Sequence, residues 1–154
     1  MHITLETDYA VRIVDCLGRA QTRMRAQAIA DDTGVTLRFA LKILRKLVAS
    51  GILVSFKGAT GGYEMNRELK DISIYDILVT IEGPYYFSRC LAEEHDCYRN
   101  HQDECSYHKI FDYVSHEVRT MLKSITMDQT TRDDFQLSDL NLSLPTTPCA
   151  KAGS

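Results

Sequence analysis

The chain has 154 residues, 44% of them hydrophobic, and a formal net charge of −3, which suits one domain or a small domain with an appended oligomerisation element. No apolar run approaches the length of a membrane span and no signal peptide is evident, so we expect a cytoplasmic protein rather than a membrane or secreted one. Thiols stay mostly reduced in that compartment, so the five cysteines are better candidates for metal ligands or redox groups than for disulfides.

The first two predicted elements are helices. Between residues 7 and 20, apolar residues recur at three- and four-residue steps, which predicts an amphipathic helix. Cys16 lies near the apolar face of this helix and is expected to be a small buried hydrophobe. A second, shorter helix is predicted over residues 24–32, and Gly34 ends it.

A third helix is predicted from Thr36, a good N-cap residue, to Ser50, and Gly51 is its stop signal. The apolar stripe that should face the core consists of Leu37, Ala40, Leu41, Leu44, Leu47 and Val48. A basic stripe on a different face consists of Arg38, Lys42 and Arg45. Because no acidic residue occurs between Thr33 and Tyr63, this helix should present a basic surface in a mildly acidic chain.

A glycine-rich hairpin follows, with strands predicted over residues 52–56 and 63–66 and a turn over residues 57–62. We call residues 52–66 the wing. A Walker-type phosphate loop would need Lys followed by Ser or Thr directly after its last glycine, whereas Tyr63 follows Gly62. The glycines therefore favour a tight turn over a nucleotide site.

The second half of the chain begins with a fourth helix. Ser73, with Asp76 three residues later, predicts its capped start, and Gly83-Pro84 ends it. Residues 85–108 show little apolar periodicity and contain three cysteines and three histidines. This segment is therefore the candidate for metal or thiol chemistry.

A long helix is predicted over residues 107–127. Its apolar positions are Ile110, Phe111, Val114, Val118, Met121, Leu122 and Ile125. The small domain cannot cover a stripe of this length, so a partner helix and hence a homodimer are expected. Beyond residue 130 the chain turns polar, and a flexible tail that contains Cys149 is expected.

The order of short helix, glycine turn, basic helix and hairpin predicts a mainly α fold with a small β wing, that is, a winged helix-turn-helix domain plus a long C-terminal dimerisation helix. The boundaries expected are residues 1–83 for the DNA-binding domain, 84–108 for the cysteine-containing loop, 109–130 for the dimerisation helix and 131–154 for the tail. Residues 1–70 carry eleven Lys/Arg against seven Asp/Glu, which supports binding to double-stranded DNA. The alternative is an ordinary solvated basic helix beside a hairpin.

On the DNA-binding interpretation, the start of the third helix reaches base edges and the other cations contact phosphates. The base-reading candidates are Thr36, Arg38 and Phe39. The phosphate-contacting candidates are Lys42, Arg45 and Lys57. Gly58 and Gly61 allow the tip of the wing to approach the backbone closely. A homodimer would meet a pseudo-palindromic operator.

Four segments of the sequence resemble a known family. They are Thr7-Asp8-Tyr9-Ala10-Val11-Arg12, Ile29-Ala30, the stretch from Leu44 to Tyr63, and the stretch from Ile72 to Gly83. The resemblance is to the bacterial iron–sulfur transcription regulators typified by the iron–sulfur cluster regulator (IscR) and the nitric-oxide-sensitive repressor (NsrR), and it covers about residues 1–130. Lys57 stands where the family has a wing arginine, and Phe39 where tyrosine is common. The DNA sequence that is read is therefore expected to differ from that of better-known members.

Cys90, Cys97 and Cys105 are separated by six and seven residues, and His108 lies three residues after Cys105. Thiolates suit iron–sulfur clusters, zinc and copper(I), but the close cysteine pairs of structural zinc sites are missing. The spacing alone leaves a metal site and three ordinary surface thiols equally open.

The resemblance implies an iron–sulfur cluster on these three cysteines. In IscR-like members a histidine after the third cysteine completes a 2Fe–2S site, and His108 matches that position. In NsrR-like members an aspartate of the other subunit completes a 4Fe–4S site, and Asp8 matches that one. His95 and His101 are lesser candidates.

The resulting prediction is a non-enzymatic transcriptional regulator, a repressor, that senses iron–sulfur, redox or nitric oxide status. The alternatives within the same fold are a cluster-free thiol regulator, whose cysteines oxidise directly, and a zinc-dependent regulator. An iron–sulfur electron-transfer protein is the alternative from another class, but it leaves the basic helix and the glycine wing unexplained.

Overall fold

A computed structural model of the chain describes residues 3–58, 60–92 and 105–140. Helices alternate with short connections around a two-stranded antiparallel sheet, so the predicted fold class is confirmed. The helices are α1 (Leu5–Ala20), α2 (Ala26–Thr33), α3 (Leu37–Ala49), α4 (Ile74–Glu82), α5 (Ser106–Ser124) and α6 (Met127–Thr130), and the strands are β1 (Leu53–Phe56) and β2 (Gly62–Met65). Short 3-10 turns lie at Leu69–Asp71, Arg89–Leu91 and Leu137–Asp139. None of the helices in the described ranges is long and apolar enough to cross a membrane.

The first helix begins two residues earlier than predicted, because the side chain of Thr4 accepts a hydrogen bond from the Thr7 amide and caps it. Its apolar side, including Ile13 and Leu17, is fully buried in the core formed by α1 to α4 and the wing. Cys16 is also buried. Burial, together with a hydrogen bond to Asp32, raises the pKa of this thiol to about 12, so Cys16 behaves as the expected buried hydrophobe.

The turn between α2 and α3 uses the predicted glycine. Gly34 has a φ of 70° and its amide donates to the Ala30 carbonyl, which ends α2. The second helix starts at Ala26, two residues later than predicted, because Met24 pairs instead with Tyr63 of the wing as an isolated bridge. Because the Met24 backbone is hydrogen-bonded to the wing, the chain before α2 cannot extend the helix.

The inward face of α3 differs from the prediction. Its buried residues are Ala40, Ile43, Leu44 and Leu47. Leu37 is 38% exposed and Leu41 is half-buried, although both were expected to face the core. The apolar residues of α3 cover more of its circumference than its neighbours can bury, so the packing against α1, α2, α4 and β1 decides which of them face outward.

The wing is an antiparallel hairpin in which Leu53 faces Met65 and Phe56 faces Gly62. The backbone of Met24 extends it as a third, one-residue strand, with N–O distances of 2.9 and 2.8 Å to Tyr63. A side chain at Gly62 would place its Cβ 2.5 Å from the Met24 carbonyl oxygen, so glycine is required at this position.

The predicted cap of α4 is confirmed, since Ser73 and Asp76 form a reciprocal capping box. The long helix α5, however, ends at Ser124 rather than at residue 127. Ile125 is extended, its carbonyl accepts a hydrogen bond from the Ile74 amide, and Met127 then inserts its side chain into the core at 1% exposure. The chain leaves the helix because its backbone pairs with the entry to α4.

Residues 131–140, expected to begin a flexible tail, return to the first helix. Asp133 forms an ion pair with Arg19 of α1, and Leu140 is buried. Residues 141–154, including Cys149, lie outside the described residues.

Candidate nucleic-acid interface and cysteine segment

The exposed face of α3 gathers the predicted cations. Arg38, Lys42 and Arg45 are exposed and surround an open depression of about 810 Å³ that Leu37 and Leu41 also line. We call these five residues the docking face. An amphipathic helix with cations and apolar groups on its outer side has the chemistry to enter a major groove, because it can contact phosphates, base edges and thymine methyl groups.

Two further predicted contacts lie at the edge of the docking face. Thr36 is exposed at the N-cap position of α3, but its side chain makes no capping hydrogen bond. Phe39 is half-buried, and its ring packs edge-on against Tyr9 of α1 with 5.7 Å between centroids. Phe39 therefore joins α3 to α1 and presents only part of its ring outward.

A partly buried carboxylate restrains two lysines of α3. Glu6 of α1, with 17% of its side chain exposed, lies 3.0 Å from Lys42 Nζ and 2.8 Å from Lys46 Nζ. Burial pushes the pKa of Glu6 upward, but hydrogen bonds and charge attraction from Lys46 and Lys42 outweigh it, so the pKa is lowered overall. No pattern in the sequence indicates these pairs, because Glu6 lies far from both lysines along the chain.

The wing tip has the geometry that its glycines predicted. Lys57 is exposed directly after β1, and Gly58 follows with a φ of 94°. A Cβ at Gly61 would lie 2.6 Å from the Phe56 carbonyl oxygen, so the turn closes only with glycine there. The backbone of the tip is therefore tight and free of bulky side chains at two of its positions, which allows close approach to another backbone.

Arg23 makes a contact with the wing that no pattern in the sequence predicts. The guanidinium of Arg23 lies 3.4 Å from the centroid of the Phe56 ring, and its Nε is 3.2 Å from Glu64 Oε2. Arg23 belongs to the connection between α1 and α2, where no pattern in the sequence indicates a role.

A polar junction ties α1, α3 and the end of α4 together. Glu82, the last residue of α4, accepts hydrogen bonds from the amide and hydroxyl of Thr4 at 2.8 Å and also from the Thr7 hydroxyl. Lys46 of α3 donates to the carbonyl of Ile81 at 3.0 Å. The cysteine-containing loop expected over residues 84–108, here called the cysteine segment, begins directly after this junction.

The start of the cysteine segment runs back along α5 towards the N-terminus of that helix. Arg119 donates to the Tyr85 carbonyl at 3.4 Å, and the Phe87 amide donates to Ser115 Oγ at 2.9 Å. The turn Arg89–Leu91 then packs on α5. From Tyr85 to Phe87 the contacts therefore approach the end of α5 at which Cys105 occupies the N-cap position.

Two of the candidate cluster ligands, Cys90 and Cys105, are half-buried free thiols. His108 lies on the first turn of α5, and its Nδ1 is buried without a hydrogen-bond partner. Asp8 of α1 is already paired with Arg12 at 2.8 Å. Cys97 lies outside the described residues, as do His95 and His101, and within the described ranges no three potential ligands gather in one place.

Comparison with known proteins identifies a family and several relatives of this chain. Residues 3–133 match the family described as "Rrf2: Iron-dependent Transcriptional regulator". Protein aau3 of Rhizobium meliloti is 31% identical over 99 residues, which are 63% of this chain and 64% of that protein, so the chain spans a little under two thirds of the length of that relative. An rrf2-like HTH-type transcriptional regulator of Rhodobacter capsulatus is 28% identical over 136 residues, covering 82% of this chain and 89% of that one.

Solved structures share the fold. A transcriptional regulator from Listeria innocua matches with a TM-score of 0.70 at 22% identity, covering 96% of both chains. IscR of T. potens matches at 0.65 and 21% identity, covering 84% of this chain and 85% of that one. CymR, the global cysteine regulator of B. subtilis, matches at 0.62 and 22% identity, covering 85% and 96%. At these identities the likeness establishes the fold alone.

Proposed function

Because the chain belongs to the Rrf2 family of transcriptional regulators, we propose that it is a repressor that binds a pseudo-palindromic operator as a homodimer and responds to the state of an iron–sulfur cluster. Its relatives are DNA-binding regulators rather than enzymes. The observation that carries the DNA-binding part is the docking face, where three exposed cations flank two outward-facing leucines on a single helix.

On DNA, α3 would lie in the major groove with its N-terminal residues towards the bases. Arg38 has the planar fork that pairs with both acceptors of a guanine edge, and Leu41 offers an apolar surface to a thymine methyl group. Arg45 and Lys57 fix the position of the protein through phosphates. Lys42 joins them once it exchanges Glu6 for a phosphate, since both anions compete for the same ammonium group.

The homodimer would form through α5. The inner side of this helix packs on the segment from Tyr85 to Phe87, whereas Ile110 on its outer side is 53% exposed and Tyr107 69%. Helical spacing continues this outer apolar side through Val114 and Met121. Pairing of two such faces would present two copies of α3 to half-sites about one DNA turn, or roughly 34 Å, apart.

The cysteine segment fits a cluster on one structural ground. A buried ring nitrogen without a partner costs free energy, of order 1–3 kcal/mol, and His108 Nδ1 is such an atom at the end of α5 where Cys105 stands. We therefore assign Cys90, Cys97 and Cys105 as cluster ligands and His108 as the fourth, in preference to Asp8, which already has a cation partner. A cluster held there would supply a redox-active centre that is lost when its ligands are oxidised.

The polar junction is the route by which the cysteine segment would influence α3. Glu82 accepts hydrogen bonds from Thr4 and Thr7 at the start of α1 and adjoins the segment, while Lys46 of α3 contacts both Ile81 and Glu6. A shift of the end of α4 would therefore move the carboxylate that restrains Lys42. Such a link changes operator affinity only if the two states of the segment favour different positions of the junction.

The test of the cluster is an absorbance spectrum of anaerobically purified protein, together with iron and zinc analysis. Brown protein with charge-transfer bands is the expected result, and His108→Ala should lose the colour while Asp8→Ala and the exposed His116→Ala retain it. The reverse pattern would assign the fourth ligand to Asp8. Colourless protein with one zinc per chain, or with no metal, would remove the cluster from the proposal and leave a zinc-dependent or thiol regulator.

The test of regulation is a pair of binding curves on one DNA duplex at fixed salt, with and without the cluster. The duplex can be selected by the protein itself from a random-sequence pool. Coupling between two sites is typically 5–150-fold in affinity, and a difference in that range is expected. Equal affinities of the loaded protein, the unloaded protein and Cys97→Ala would show that the cluster does not regulate binding.

A further inference from the structure

Arg23 touches every part of the wing. Its guanidinium lies 3.4 Å from the centroid of Phe56 at the end of β1. Its Nε is 3.2 Å from the Glu64 carboxylate on β2, and its Nη1 is 3.5 Å from the carbonyl of Thr60 in the turn. One side chain from outside the hairpin therefore contacts both strands and the loop that joins them.

The stem of Arg23 is also fixed. A Cβ on Gly62 would lie 3.1 Å from Arg23 Cγ, so the methylene chain packs directly on the hairpin where Gly62 leaves room for it. The next residue, Met24, is hydrogen-bonded to Tyr63 through both its amide and its carbonyl. Backbone pairing and side-chain packing together place the guanidinium over Phe56.

The far end of the wing needs such a contact, because Leu53 at its base is buried in the core whereas Phe56, at the end of β1, is 36% exposed. Phe56 is followed directly by Lys57 and Gly58, both of them exposed. We propose that Arg23 is a positioning residue for the wing, which holds Lys57 and the glycine tip where they meet the DNA backbone. This inference rests on the proposed docking of the wing and assigns Arg23 no base contact of its own.

The expected size of the effect follows from the contact. A cation over an aromatic ring at a partly exposed site is worth about a 2- to 5-fold change in an equilibrium constant. Arg23→Ala should therefore weaken binding to the selected duplex by about that factor. Arg23→Lys should resemble Arg23→Ala, because an ammonium group lacks the planar surface that stacks on Phe56 and the fork that reaches Glu64.

A double-mutant cycle tests the mechanism. The affinity of the full chain for the selected duplex is measured for Arg23→Ala, Lys57→Ala and the double variant. If Arg23 positions Lys57, the loss caused by Lys57→Ala is smaller when Arg23 is already absent. Arg38 belongs to α3 and lines the depression there rather than the wing, so the cycle of Arg23→Ala with Arg38→Ala should be additive and serves as the matched control.

Each contrary outcome has a separate meaning. Additive losses for Arg23→Ala and Lys57→Ala would overturn the inference while leaving wing docking intact, even if Arg23→Ala lowers the melting temperature. Wild-type affinity of Arg23→Lys would also overturn it, because the charge alone would then suffice. If Lys57→Ala and Arg38→Ala both bind as the wild type does, the proposed DNA contacts of the wing and of α3 are both wrong.

Discussion

Replacing Glu6 by glutamine should strengthen binding to DNA, because this residue holds Lys42 away from phosphates. The Glu6 carboxylate lies 3.0 Å from Lys42 Nζ and 2.8 Å from Lys46 Nζ. Glutamine keeps the size of the side chain and one oxygen acceptor but removes the charge. Lys42 then becomes available to a phosphate without first breaking an ion pair.

The magnitude follows from the exposure of the pair. Since 56% of the Lys42 side chain is exposed, the pair with Glu6 belongs with surface ion pairs, which are worth about 0.2–1 kcal/mol. Releasing that energy corresponds to about 1.4- to 5-fold tighter binding. If Lys42 gains one phosphate, the slope of log affinity against log salt concentration should steepen by about 0.9.

The assay is a titration of a fluorescently labelled random duplex by anisotropy at several salt concentrations. Glu68→Gln is the matched control, because it makes the same chemical change and frees Lys70, which lies on the 3-10 turn that packs against α6. Unchanged affinity and salt slope for Glu6→Gln would refute the argument. An equal gain for Glu68→Gln would show that net charge alone is responsible.

The same variant has a pH signature in stability. The pKa of Glu6 is lowered in the fold, so its ion pairs stabilise the protein above the pKa of an unfolded glutamate, near 4.5, and this contribution is lost as the pH falls through the lowered folded value. The difference in melting temperature between the wild type and Glu6→Gln should therefore be constant near neutral pH and vanish in acid. A difference that persists at the acidic end would exclude the ion pairs as its cause.

Three further experiments probe the docking face and the dimer. Arg38→Ala should relax sequence preference by about 1–3 kcal/mol at one base pair, whereas Lys42→Ala should weaken binding to selected and random duplexes alike. Equal behaviour of both variants on both duplexes would contradict the division between base reading by Arg38 and phosphate contact by Lys42. Replacing single thymines of the selected duplex by uracil removes only a methyl group. At one position this change should weaken binding by the wild type but not by Leu41→Ala. The absence of any such position would exclude the methyl contact. Ile110→Glu should sediment as a monomer at concentrations where the wild type and His116→Glu, on the polar side of α5, are dimers.

Local sequence signals were sufficient for the order of the elements from α1 to α5 and for the ends that a glycine or a capping box sets. Gly34 ends α2 because a left-handed residue needs no Cβ, and Ser73 with Asp76 starts α4 because the two side chains bond the free amides of the first turn. Such caps depend on residues three or four positions apart, so they can be read directly from the chain. The glycine turn of the wing is local in the same sense.

The ends of the longest helix were less accessible to the sequence. The apolar period of α5 continues to Ile125, yet the helix stops at Ser124 because the following backbone pairs with residues 72–74. Helical periodicity records which face of a segment is apolar. It does not record whether another segment offers its backbone a better partner.

The residues of the candidate site divide in the same way. A basic stripe on α3 follows from spacing alone, because residues three and four apart share a helix face. The outward position of Leu37 and Leu41, the restraint of Lys42 by Glu6 and the contact of Arg23 with Phe56 were all decided by the tertiary structure. Each of these depends on residues from separate elements that only folding brings within a few ångströms, and no periodicity along the chain encodes which of several exposed cations will find a carboxylate or a ring.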